Sequence, residues 1–115
     1  MSAASQVGSL GTETYELPAV LPVGTVQQVL AALADPVRLE MVRRMSETNE
    51  PVACGLLYED ISKSTASHHF KVLREAGITE RVVISGQTHQ LLRRDELEKA
   101  LPGVVSAVVS AADGQ

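Results

Sequence analysis

The stretch SKSTASHHFKVLREAGI, residues 62–78, is the best-defined element of the chain and decides how the rest is read. Ser62 is a good N-cap, because its hydroxyl can accept one of the amide protons that a helix start leaves unpaired. Gly77 suits the C′ position, where the chain turns left-handed and a Cβ would obstruct it. Between them the spacing predicts a helix of about four turns. Ala66, Phe70 and Leu73 recur at i, i+4 and i+7 and make its apolar stripe. Ile78, just past the glycine, is placed to pack back on Leu73 as the closing contact of a Schellman-type cap.

The opposite face carries Ser64, Ser67, His68 and Lys71, with no carboxylate before Glu75. Lys63 and Thr65 flank the N-terminus of the helix. Such a face suits a helix whose first turns enter the major groove of DNA. Hydroxyls and N-terminal amides donate to phosphates, and Ser, Thr and His are short enough to reach base edges. Most polar helix faces are only solvated, so the neighbouring elements decide between the two readings.

Downstream, Glu80–Ile84 and His89–Leu92 are two β-prone runs around Ser85-Gly86-Gln87-Thr88, which reads as a hairpin. Upstream, Glu47–Pro51 is a polar loop and Cys54–Ile61 reads as a short helix. Before it, Asp35-Pro36 starts a helix with a capping Asp and a Pro at the first helical position. That helix runs to about Met45 and buries Val37, Met41, Val42 and Met45. From about Val23 to Leu33, apolar residues at Val26, Val29, Leu30 and Leu33 give another helix. Residues 1–17 show no period and read as part of a flexible arm, with Pro18 and Pro22 bracketing an extended stretch. After the hairpin, Asp95 and Glu98 form a capping-box-like start to a further helix. Pro102-Gly103 interrupts it, and Val104–Ala112 follows with Val104, Val105, Val108 and Val109 and almost no charge. A lone helix so short and apolar needs a partner surface. The expected fold is mainly α with a small β-hairpin, a winged helix-turn-helix. Residues 22–112 form that domain, with a flexible N-terminal arm over 1–21 and a tail over 113–115.

Bulk properties fit one small globular domain. The chain has 115 residues, 44 % of them hydrophobic and 21 % charged. That leaves room for one modest core and little for a deep substrate pocket. No apolar run is long enough to span a membrane, and the N-terminus shows no signal peptide, so a cytoplasmic location is expected. The net charge of −4 is unevenly placed. Residues 63–94 carry six basic groups against two acids, whereas residues 1–62 carry three against eight. An acidic body with one basic segment suits phosphate binding on a single face.

The segments AALADPVRLEMVRRM (31–45) and SKSTASHHFKVLREAGI (62–78) resemble the ArsR/SmtB type of winged-helix repressor. In that family a DP-x-R-L helix precedes an S-x-S-T-x-S-H-H-L-x-x-L-x-x-A-G recognition helix and a glycine-containing wing. The likeness covers about residues 23–112, and the leucine of the pattern is here Phe70. It implies a homodimer formed by the first and last helices, with Val26, Val29, Leu30, Val104, Val105 and Val108 as interface candidates. It also implies DNA contacts by Lys63, Ser64, Thr65, Ser67, His68 and Lys71, joined by Arg81, Gln87 and Thr88 of the wing. The expected function is a sequence-specific repressor of a pseudo-palindromic operator in double-stranded DNA, released by a small-molecule effector if one exists.

Relatives often hold metal through a C-x-C pair or through Asp and His on the last helix. Here Cys54 has no second Cys, the last helix has no His, and the neighbours His68 and His69 point apart on a helix. No metal and no cofactor are therefore expected. A single thiol excludes a disulfide within one chain. Cys54 is more simply a small buried residue than a redox switch, though a thiolate near a helix N-terminus is the redox alternative. Catalysis is not expected, because no G-x-S-x-G elbow, phosphate loop or carboxylate pair occurs. A winged helix used for protein–protein contact is the other alternative.

Overall fold

The computed structural model describes residues 7–10, 13–16 and 20–115. Val7–Leu10 (β1) and Glu13–Glu16 (β2) pair antiparallel, Val7 opposite Glu16, within the segment read as an aperiodic arm. The other residues up to 19 lie outside the described residues.

The first helix, α1, spans Val26–Leu33 and starts later than its apolar period suggests. Thr25 sets that start through a reciprocal capping box: its hydroxyl accepts from the Gln28 amide, and the Gln28 side chain accepts from the Thr25 amide. Asp35 caps α2, Pro36–Ser46, accepting from the amides of Val37 and Arg38, with Pro36 at the first helical position. Met41, Val42 and Met45 of α2 are fully buried, whereas Val37 is only partly so.

The helix expected over Cys54–Ile61 does not form. Val52–Ala53 is a short strand, β3, Cys54–Leu56 is a single 3₁₀ turn, and the rest is irregular. The apolar anchors are nevertheless used: Leu57 is buried, and Tyr58 meets Phe70 edge-on with ring centroids 6.2 Å apart. β3, immediately before the segment, is tied to β5 of the wing, and Asp60 at φ 64° takes a left-handed turn that no α-helix accommodates. The first helix of the helix-turn-helix is thus reduced to one turn.

The next helix, α3, spans Lys63–Glu75 between the two expected caps. Gly77 at φ 77° donates to the Arg74 carbonyl, and Ile78 donates to the Leu73 carbonyl. Those two bonds define a Schellman cap. Thr79–Ile84 (β4) and Gln87–Leu92 (β5) then form the wing. Ser85 (φ 51°) and Gly86 (φ 78°) alone make its turn, so the strands are longer and the loop shorter than expected. Positive φ at both central residues matches the twist of a two-residue hairpin. With β3 added, the sheet is antiparallel in the order β3-β5-β4.

α4, Arg94–Ala100, begins one residue before Asp95, and no side chain caps it. Glu98 instead accepts from the Gly103 amide at 2.8 Å, closing the Pro102-Gly103 break rather than the helix start. α5, Val104–Asp113, follows. Val29, Met41, Val42, Leu57, Leu73, Ile78 and Leu97 build one core shared by the helices and the root of the wing.

On the outer face of α2, Arg43 and Arg44 both bond Glu40 at 2.8 Å. Their hydrogen bonds lower the Glu40 carboxyl from 4.5 to about 2. Because the folded value lies below the unfolded one, the unfolded chain binds more protons as pH falls below 4.5. The stabilisation is therefore present above that pH and is lost toward pH 2. Glu40→Gln is expected to flatten this part of the acid limb in urea titrations. Glu40 is 42 % exposed, so the effect is small, within about 0.2–1 kcal/mol for exposed pairs. An unchanged acid limb would show that solvent screens the pair completely.

Candidate nucleic-acid interface

Ser62 fixes where the outer face of α3 begins. Its hydroxyl accepts from the Thr65 amide at 3.1 Å and donates to the Thr65 hydroxyl oxygen at 3.0 Å. Ser64, Ser67, His68 and Lys71 all project to solvent on the side opposite Ala66, Phe70 and Leu73, as do Lys63 and Thr65 at the N-terminal end. On the wing, Arg81 is exposed near the middle of β4, and Gln87 and Thr88 are exposed beside the turn. The helix and the wing thus present every sequence-derived contact residue on accessible surface.

The two histidines separate as their positions on the helix require. His69 is only 9 % exposed and faces Arg38 of α2, Nδ1 to Nη1 at 3.1 Å. Arg38 also donates to the Ala32 carbonyl at 2.7 Å. His69 is therefore a tie between α2 and α3, whereas His68 is free for an external partner. Among the described residues, no three His, Cys, Asp or Glu side chains are grouped to hold a metal ion.

Pairing of the cations differs across the molecule, although Lys99 of α4 is also without a partner among the described residues. Among the described residues, every ion pair runs through Arg43 or Arg44 on α2. Arg93 and Arg94 donate to carbonyls rather than to acids, Arg93 through Nη1 to those of Leu21 and Gly77, with its buried Nε left without a partner among the described residues, and Arg94 to those of Met45, Ser46 and Thr48. Lys63, Lys71, Arg74 and Arg81 have no ion pair or hydrogen bond from their charged groups among the described residues. Unpaired cations gathered around one helix and one hairpin are free to meet phosphates. Arg74 is the residue that sequence reading missed. It continues the row Ser67, Lys71, Arg74 at i, i+4, i+7, so the same periodicity that located Lys71 also points to it. Its charge is disfavoured first by burial and then by the neighbouring Arg81.

Residues 33–82 match the family described as "Helix-turn-helix domain". The uncharacterized HTH-type transcriptional regulator YceK of Bacillus subtilis (strain 168) is 37 % identical over 83 residues, 70 % of this chain and 83 % of that protein. The chain belongs to the helix-turn-helix transcriptional regulators. The crystal structure of the transcriptional repressor BigR from Xylella fastidiosa superposes with a TM-score of 0.58 at 30 % identity, covering 75 % of this chain and 84 % of that one. An ArsR-like transcriptional regulator from Rhodococcus sp. RHA1 shares the fold at a TM-score of 0.54 and 19 % identity, covering 76 % and 78 %. The regulator therefore has the winged helix-turn-helix fold of ArsR-type proteins, with α3 and the β4–β5 wing side by side on one face.

Two of the expected interface residues need correction. Val29 is 0 % and Val105 6 % exposed within a single chain, so both belong to its core. Val26, Leu30, Val104 and Val108 keep accessible surface, Leu30 most at 44 %. Cys54 is half-buried, and its surroundings oppose the redox alternative. Burial pushes the thiol up from its ordinary value, and the weak Gln90 contact and the guanidinium groups of Arg74 and Arg81 do not reverse that. No helix among the described residues is long and apolar enough to cross a membrane.

Proposed function

We propose that this regulator is a cytoplasmic, sequence-specific repressor that binds a pseudo-palindromic operator as a two-fold homodimer, without acting as an enzyme. The observation that carries the reading is the row of unpaired cations, Lys63, Lys71, Arg74 and Arg81, set beside Ser64, Ser67 and His68. Phosphate contacts by the cations fix the register, while the short polar side chains read base edges. Two-fold symmetry places two such helices in successive major grooves on one side of the duplex.

Duplex affinity measured against salt tests it. Each cation that meets a phosphate contributes about −0.9 to the slope of log affinity against log salt. A dimer using four cations per protomer reaches a slope of about −7 if all meet phosphates. Lys71→Ala is expected to reduce the slope by about 1 per affected phosphate contact and to weaken all sequences alike. Ser67→Ala is expected to act on the operator more than on random sequence. If neither substitution changed duplex binding, α3 would not be the reading helix.

A further inference from the structure

A second feature lies between α3 and the wing. A cleft of about 200 Å³ opens there, with Lys63, Arg74 and Arg81 among its lining and no carboxylate. Ser67 of α3 and Thr88 of β5 add hydroxyls, and the half-buried Cys54 and the buried Gln90 complete the polar lining. Gln90 is 1 % exposed, and its carbonyl oxygen accepts from the Thr79 hydroxyl at 3.2 Å. Its amide nitrogen carries two protons. Its one partner among the described residues is the Cys54 sulfur at 3.8 Å, a weak acceptor. A buried donor is thus left partly unused beside three cations that have no counter-charge among the described residues. Arg74 and Arg81 also oppose each other's charge. An anion between them relieves that repulsion and takes charge-assisted hydrogen bonds from both.

We propose that this cleft is a small-anion site, taking a phosphate- or sulfate-like oxyanion or a compact carboxylate, and that a seated anion competes with the duplex. The competition rests on the DNA-binding role of α3 and the wing, since Lys63, Ser67, Arg81 and Thr88 belong to both surfaces. Anion binding itself does not depend on that role, so the two are separable by experiment. The site also gives the regulator an entry point for a signal without a metal.

The test uses the full chain and inorganic phosphate, with chloride at matched ionic strength as the reference. Alkylation of Cys54 by the neutral reagent iodoacetamide, followed by intact mass, reports occupancy. Phosphate is expected to slow alkylation saturably, roughly tenfold at about ten times the dissociation constant, because the free fraction sets the rate. Arg74→Gln and Arg81→Gln are each expected to abolish the protection, and Arg74→Lys to restore part of it. Arg81 is exposed on an edge strand, so its variant retains the fold even if Arg74→Gln does not. Absence of protection overturns the site. So does equal protection in both glutamine variants, because excluded salts stabilise any folded protein. Phosphate is also expected to weaken binding to a random-sequence duplex beyond the chloride reference, and only where Arg74 and Arg81 are intact. Protection of Cys54 with no effect on the duplex overturns the competition. Protection in a chain that binds no duplex overturns the DNA role instead.

Discussion

Replacing Gly77 by alanine is expected to destabilise the protein by about 3 kcal/mol or more, combining left-handed strain of about 1–2 with overpacking of about 1–3. The replacement meets two obstacles at once. Gly77 sits at φ 77°, and a Cβ there would lie 2.3 Å from the Pro22 carbonyl oxygen and 2.6 Å from the Val23 Cα. Neither contact is a flexible side chain, so the chain before α1 has to move. That chain is fastened to the end of α3 by other bonds as well. Gly24 donates to the Ala76 carbonyl at 2.9 Å, and Arg93 bridges the Leu21 and Gly77 carbonyls. Displacing it loosens the C-terminus of the helix that carries Lys71 and Arg74. Gly86 provides the control, with the same φ within a degree and nothing within 4 Å of its Cβ. Gly86→Ala therefore reports the dihedral strain alone, about 1–2 kcal/mol. The difference between the two midpoints in thermal or urea unfolding isolates the contact with Pro22–Val23. For a domain near one hundred residues the Gly77 variant is expected to melt lower by about 15 °C. Equal losses at the two glycines would place the pre-helical segment away from the α3 cap.

That contrast also shows which parts of the molecule are legible in a sequence. Caps are local chemistry, so Asp35-Pro36, Ser62 and the Gly77-Ile78 pair locate α2 and α3 without knowledge of anything distant. The wing turn is local too, although its two-residue length follows from the positive φ of Ser85, a residue that gives only a weak signal for it. Cys54–Ile61 is a different case. Its apolar residues are spaced for a helix, yet β3 just before it pairs with a strand more than thirty positions away, which keeps the chain extended up to Ala53 and leaves only a 3₁₀ turn at Cys54–Leu56. Asp95 and Glu98 have capping-box spacing, but Glu98 is recruited by the Gly103 amide that the Pro102-Gly103 break leaves unpaired. The candidate interface shows the same division. Every exposed contact on α3 follows from period and polarity. The importance of Arg74 rests on its lack of a partner and on the proximity of Arg81, both of which are tertiary facts.

Helix α5 gives the second large effect, because it carries two apolar faces and one of them is only partly covered within the chain. Val105 and Val109 are buried in the core, Val108 packs against its edge with part of its surface accessible, Val104 is partly accessible, and Ala107 and Ala111 are exposed. The outer four positions recur at i, i+3, i+4 and i+7, and no charge interrupts them. Solvent does not favour such a stripe, and a two-fold copy of itself covers it symmetrically. Both α1 and α5 pack on α2, so Val26 and Leu30 of α1 are candidates to extend the same seam. Val108→Asp is expected to convert the proposed dimer to a folded monomer, with an unchanged circular dichroism spectrum and half the mass by light scattering. A monomer holds one half-site, so operator affinity is expected to fall toward the non-specific level, about 10³-fold or more. Val105→Ala supplies the opposite signature. It opens a cavity in the core, costs about 2 kcal/mol of stability, and leaves the dimer intact. A Val108→Asp protein that remains dimeric, or a monomer that still binds the operator at full strength, would place the seam away from α5.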